Sequence, residues 1–176
     1  MADAKSVTPP VLFSAEDIAI RVQSLAREIA AAPQKPDIAM PILVGGFVFA
    51  ADLVRALSKE GVNLEVEMLW LRSYGDKRVA SAISMIAGPS EQIAGRHVLV
   101  IDGVLDAGRT IKKAVSLIEA AGAASVRVAV ALDKQRPGAV ARADHVGFTV
   151  GNDFMIGYGM DDAGRYRTLP YIGRAV

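Results

Sequence analysis

The stretch from His97 to Thr110 constrains the fold more than any other part of the chain. Val98, Leu99, Val100 and Ile101 make a compact apolar run that predicts a buried strand over residues 97–101. Two acids follow, Asp102 and Asp106, and then Gly108, Arg109 and Thr110 open a helix predicted to run to about Ala121. A buried strand, an acidic turn and a helix in that order form half of a βαβ unit, whose ligands bind beyond the carboxyl ends of the strands. Free N–H groups at a helix start favour phosphate, and a glycine lets the backbone approach closely. The Thr110 hydroxyl adds a donor, while the acids suit sugar hydroxyls, a magnesium ion or a proton to be abstracted. A plainer reading stays open on this pattern alone: Asp106 as a helix cap and Asp102 as an ordinary strand-end acid. A P-loop and a GxGxxG dinucleotide fingerprint are both absent from the segment.

The rest of the chain supplies matching units. Ser14, with Asp17 three positions on, has the form of a capping box, and Ile18, Val22, Leu25, Ala26 and Ile29 recur at helical spacing behind it. Pro33 and Pro36 end that helix. Residues 38–44 predict a strand before the Gly45-Gly46 turn, residues 47–58 a helix, and residues 62–71 a partly alternating strand. Periodicity fades over residues 72–92, where a mobile loop containing Gly75, Asp76, Lys77 and Arg78 and a return strand are expected. Residues 126–132 and 146–150 predict two further strands, with Gly122 closing the helix between. From Gly157 onward no regular element is predicted. Strands alternating with helices imply an α/β fold with a mostly parallel central sheet and helices on its faces.

Composition narrows the function. The 176 residues suit one domain over residues 1–176, and a formal net charge of +1 gives no field for nucleic acid or an anionic membrane. Without cysteine, thiolate metal sites and a cysteine nucleophile are excluded. No uninterrupted apolar run reaches the roughly 18 residues of a membrane helix, and the start lacks the form of a secretory signal, so a cytoplasmic protein is expected. His97 and His145 have no ligand-spaced partner and read as structural.

Residues 98–110 resemble the phosphoribosyl-pyrophosphate-binding motif of type I phosphoribosyltransferases: apolar residues, acids, Asp, a small residue, Gly, any residue, Thr. The resemblance extends to the bacterial hypoxanthine(-guanine) phosphoribosyltransferases. It covers about Ser14 to Gly173, through Gly45-Gly46-Phe47, Ser73-Tyr74-Gly75, Leu132-Asp133-Lys134, Asp153-Phe154-Met155-Ile156-Gly157-Tyr158, Arg165-Tyr166-Arg167 and Leu169-Pro170-Tyr171. It implies the type I fold, with a small hood built from the two chain ends. The implied activity is transfer of ribose 5-phosphate from phosphoribosyl pyrophosphate to a 6-oxopurine, with magnesium, by a homodimer or homotetramer.

By the same resemblance, Asp106 would be the general base beside purine N7, and Ala107, Gly108, Arg109 and Thr110 would cradle the 5′-phosphate. Asp102 would face the ribose hydroxyls and the metal, and Asp161 would also bind the metal. Gly45, Gly46, Ser73, Tyr74 and Arg167 would hold pyrophosphate. Lys134 would donate to the purine O6, Phe154 would stack on the base, and the Met155 backbone would read its edge. The sequence departs from the family pattern at three positions: Val44 in place of a lysine, Gly103 in place of a second acid, and Ala107 in place of a threonine. All three fall on the phosphoribosyl pyrophosphate half, and a hydrogen bond to a charged group is worth roughly 1.5–3 kcal/mol. Two readings follow: an active purine phosphoribosyltransferase, or a catalytically weak or inactive paralogue that binds a purine nucleotide as a sensor or regulator.

Overall fold

A computed structural model describes residues 9–74 and 82–175. The chain runs β1 (Val11–Phe13), α1 (Ala15–Ala30), β2 (Ile38–Leu43), α2 (Phe47–Lys59), β3 (Glu65–Val66), β4 (Leu69–Tyr74) and β5 (Ala82–Ala87). After a short 3-10 turn at Glu91–Ile93 come β6 (His97–Leu105), α3 (Arg109–Ala120), β7 (Ser125–Asp133), β8 (His145–Thr149), β9 (Met155–Ile156) and β10 (Ile172–Arg174). The central sheet has the order β5-β4-β2-β6-β7-β8, with β3 also pairing with β2. Its pairs are parallel except that of β4 with β5.

Alternation along the strands decides which helix each residue meets. Leu99 and Ile101 of β6 join Leu25, Ile29, Leu53 and Leu57 of α1 and α2, while Val98 and Val100 join Ile111, Ala114 and Ile118 of α3. Each fully buried Leu or Ile contributes roughly 1.5–3 kcal/mol, so the period-2 pattern fixes the register firmly. α2, which follows β2, therefore lies on one face and α3, which follows β6, on the other. The crevice between adjacent β2 and β6 is the position where such sheets hold ligands. The capping box forms as the sequence predicts: Ser14 Oγ accepts from Asp17 N–H at 3.1 Å, and Asp17 Oδ2 accepts from Ser14 N–H at 2.9 Å.

Three expectations need correction. The single strand over residues 62–71 is two strands, β3 and β4, paired with the first and second halves of β2. Pro41 explains the break. It shares strand parity with Ala39, whose carbonyl accepts from Glu67 N–H, so the N–H that proline lacks is missing on the β3/β4 side. The strand predicted to stop at Ile101 continues to Leu105, because Asp102, Val104 and Leu105 still pair with β7. The tail, for which no regular element was predicted, contributes β10, and β9 lies just before it. They pair with β1 in a separate sheet of order β1-β10-β9, the hood of the two chain ends. Strands of two and three residues carry no readable periodicity. The expected loop at Gly75, Asp76, Lys77 and Arg78 lies outside the described residues, as do the side chains of Ser73 and Tyr74 at the end of β4.

Candidate active site

Parallel β2, β6 and β7 end at one edge of the sheet, so the loops after them stand side by side: Gly45-Gly46, Asp106 to Gly108, and Lys134 to Arg136. The first of these is seated backbone on backbone. A Cβ on Gly46 would stand 2.7 Å from the Ile101 carbonyl oxygen. Cβ atoms on Gly103 and Gly159 would stand 2.8 and 2.7 Å from the Gly45 carbonyl oxygen. The Gly45 carbonyl is therefore clasped between β6 and the tail, and no side chain fits at position 103 without moving it.

Between β6 and α3 the chain turns through Gly108, whose φ of 76° and contact with Ala141 both exclude a side chain. No side chain caps α3, so its first N–H groups are open to an anion. The capping alternative for Asp106 therefore fails. Its carboxylate instead meets two cations: Oδ2 accepts from Lys134 Nζ at 3.2 Å, and Oδ1 lies 2.7 Å from Arg136 Nε. Oδ1 is enclosed, and its contact with Arg136 is an ion pair without the alignment of a hydrogen bond. The Lys134 side chain is only 7% exposed, and an ammonium so enclosed is stabilised by the charge it faces.

Two adjoining cavities share Asp102, Val104 and Asp106. One, of about 330 Å³, is lined by Ala107, Gly108, Arg109, Thr110 and Arg136. The other, of about 260 Å³, is lined by Gly45, Lys134, Phe154, Met155, Asp161 and Arg167. Phe154 is 56% exposed and borders the second cavity. Arg167 is drawn in by Asp161 Oδ1 at 2.6 Å and donates to the Gly159 carbonyl at 2.7 Å. Burial pushes the Asp102 carboxyl up to about 7, against the opposing donation of the Gly103 N–H. Its carboxylate is enclosed although the residue as a whole keeps partial exposure.

Of the residues singled out in the sequence, these two cavities gather Gly45, Asp102, Asp106 to Thr110, Lys134, Phe154, Met155, Asp161 and Arg167. Gly46 stands behind them, packed on β6, and Ser73 and Tyr74 end β4. A larger cavity of about 610 Å³ lies between α1, α2 and the tail; of the expected residues it touches Arg167 alone. Sequence reasoning missed Arg136, which follows Lys134 by two positions, and the Tyr158 hydroxyl, which donates to Asp52 of α2 at 2.8 Å and ties the tail to that helix. Among the described residues no three acidic or histidine side chains form a metal cage. Asp102 and Asp161 line one cavity and would be the carboxylates for magnesium, which takes one or two and completes its shell with substrate phosphates and water; here Asp161 Oδ1 pairs with Arg167 and Oδ2 accepts from the Gly164 N–H.

Residues 12–163 match the phosphoribosyl transferase domain family. Over 166 residues the chain is 37% identical to the bifunctional protein TilS/HprT of Listeria innocua, covering 93% of this chain but 25% of that relative. The chain thus spans about a quarter of that relative's length. It is 36% identical over 166 residues to the hypoxanthine-guanine phosphoribosyltransferase of Bacillus subtilis, covering 93% of this chain and 91% of that one. The solved structure of the Trypanosoma cruzi hypoxanthine phosphoribosyl transferase superposes with a TM-score of 0.87 at 28% identity, covering 99% and 95% of the two chains.

Proposed function

The chain belongs to the phosphoribosyl transferase domain family, and we propose from that premise that it is a purine salvage enzyme. It transfers ribose 5-phosphate from phosphoribosyl pyrophosphate to a 6-oxopurine, hypoxanthine or guanine, and releases pyrophosphate. The observation that carries this reading is the orientation of Asp106. Its carboxylate does not cap α3 and pairs with Lys134 instead, so that an anion-binding helix start and a carboxylate–ammonium pair border two adjoining cavities.

The bond from ribose C1′ to pyrophosphate breaks as the bond to purine N9 forms, through a sugar carrying positive charge. The backbone from Ala107 to Thr110 holds the 5′-phosphate at the start of α3. Asp102 faces the ribose hydroxyls. Asp106 takes the proton at purine N7 as general base. Lys134 donates to O6 while keeping Asp106 company, which selects against a 6-amino purine that has no acceptor there. Phe154 stacks on the base and the Met155 backbone reads its edge. Gly45, Gly46, Ser73, Tyr74 and Arg167 take up the leaving pyrophosphate. Magnesium, when bound at Asp102 and Asp161, supplies neutralisation of the leaving group's charge.

The proposal extends to a cytoplasmic homodimer or homotetramer. Among the described residues no helix is long and apolar enough to cross a membrane. Val44, Phe47, Val66, Met68, Met85 and Ile86, in or beside β2, α2, β3, β4 and β5, are exposed apolar residues that a partner copy would cover. A monomeric mass in light scattering would reject the oligomer.

The test is nucleotide formation from hypoxanthine, guanine, xanthine and adenine with phosphoribosyl pyrophosphate and magnesium, beside Asp106→Asn. Turnover with a 6-oxopurine is expected, falling about 10²–10⁴-fold in the variant, the usual contribution of a general base. Folded protein that binds a purine nucleotide yet turns over none of the four bases would replace this reading with that of a sensor.

A further inference from the structure

Resting on the transferase reading, we propose that Arg136 is a phosphate-binding residue of this chain. It supplies the donor that the Ala107 position lacks, and it changes partner from Asp106 to the 5′-phosphate when substrate or product binds.

The backbone holds Arg136 at the cradle. Gln135 adopts a φ of 46° and its N–H donates to Asp133 Oδ1 at 2.8 Å, so the chain doubles back immediately after Lys134. The Val140 N–H then donates to the Ala107 carbonyl at 3.0 Å, and Ala141 packs on Gly108. The segment from Arg136 to Ala141 is thereby bound edge to edge with the cradle turn, and Arg136 lines the same cavity as Asp106 and residues 107–110.

The chemistry of the contact favours an exchange. Arg136 Nε reaches Asp106 Oδ1 at 2.7 Å without the alignment of a hydrogen bond, and the side chain is 45% exposed, so little holds it there. A phosphate offers the guanidinium fork a two-pronged acceptor that a half-aligned carboxylate oxygen does not. Lys134, by contrast, is buried and directed onto Oδ2, and it stays with Asp106. When the phosphate draws Arg136 away, the carboxylate keeps only Lys134, and Oδ1, freed of its cation, faces the purine proton. Filling of the phosphate cradle thus prepares the base.

The experiment compares wild type, Arg136→Gln and Arg136→Lys, reading inosine 5′-monophosphate affinity by calorimetry and the hypoxanthine KM at saturating phosphoribosyl pyrophosphate. Arg136→Gln is expected to weaken the nucleotide about 10- to 100-fold, the worth of a hydrogen bond between charged groups, while the hypoxanthine KM moves less than about 2-fold. Arg136→Lys should restore part of the nucleotide affinity, because it keeps the charge and loses the fork. Unchanged nucleotide affinity in Arg136→Gln overturns the proposal, as does a hypoxanthine KM that rises in step with the nucleotide constant. Either result leaves the transferase reading standing on wild-type turnover; wild type that neither binds the nucleotide nor turns over overturns both.

Discussion

Gly103 stands where the resembled family carries a second acid, and restoring a side chain there is expected to harm the protein. A Cβ at 103 would lie 2.8 Å from the Gly45 carbonyl oxygen, 3.3 Å from its carbon and 3.6 Å from Met160 Cγ. An unstrained carbon–oxygen contact is longer than the first of these by about 0.5 Å, and the neighbour is backbone, so it is the Gly45 loop that must shift. Overpacking of this kind costs about 1–3 kcal/mol. For a protein of this size that lowers Tm by roughly 3–10 °C. The displaced loop is the one assigned to pyrophosphate, so the KM for phosphoribosyl pyrophosphate should rise about 10-fold in Gly103→Ala while the purine KM moves less. Gly103→Asp should be no better, despite returning the carboxylate. Gly151→Ala is the control, since nothing lies within 4 Å of its new Cβ and its backbone needs no glycine conformation. Thermal melts and initial rates decide the matter. A Gly103→Ala protein matching the control in both, or a Gly103→Asp protein with a lower KM for phosphoribosyl pyrophosphate, would refute the clasp.

Two other predictions rest on the acids and the buried lysine. Asp102, raised to about 7 against about 3.9 for an unfolded aspartate, binds a proton in the folded state that the unfolded chain has released. Its contribution to stability is therefore full below about pH 4 and is lost as pH rises to 7. Relative to Asp102→Asn, wild type should lose about 2 kcal/mol between pH 5 and pH 8 in urea unfolding, a figure discounted for residual contact with water; parallel curves for the two proteins would show the carboxyl to be unshifted. Lys134→Ala should cut kcat/KM for hypoxanthine at least about 10-fold and also destabilise the protein by removing the partner of Asp106; an unchanged preference between hypoxanthine and adenine would remove Lys134 from purine recognition.

How much of this was legible in the sequence depended on the range of the interactions. The turn from β6 into α3 was readable because strand, acid, glycine and helix follow one another within a dozen residues, and local rules govern each. The capping box at Ser14 was readable for the same reason. The split of β3 from β4 was not, because its cause is Pro41 on a neighbouring strand and not anything in residues 62–71 themselves. Nor was the reason for Gly103: the residues that exclude its side chain, Gly45 and Met160, lie more than fifty positions away on either side. Read from the pattern, Gly103 was a missing ligand. In the fold it is also a condition for seating the loop beside it. Arg136 escaped notice because a charged residue after a strand usually stays in solvent, and only the doubled-back turn at Gln135 returns it to Asp106.

The hood also divides the supports of the site in space. The anion-binding half of the site is made from β6, α3 and the loop between them, a contiguous stretch held between β2 and β7. The purine wall has no such independence. Met155 and Ile156 are held by β10, where Gly173 pairs with Ile156 and Arg174 with Met155, the Ala175 N–H donates to the Phe154 carbonyl, and β10 itself leans on Val11 at the other end of the chain. The proposed phosphate cradle and the proposed purine wall therefore stand on separate supports, one in the central sheet and the other in the hood. Loosening the hood would therefore release the proposed hold on the base and leave the sugar-phosphate cradle in place.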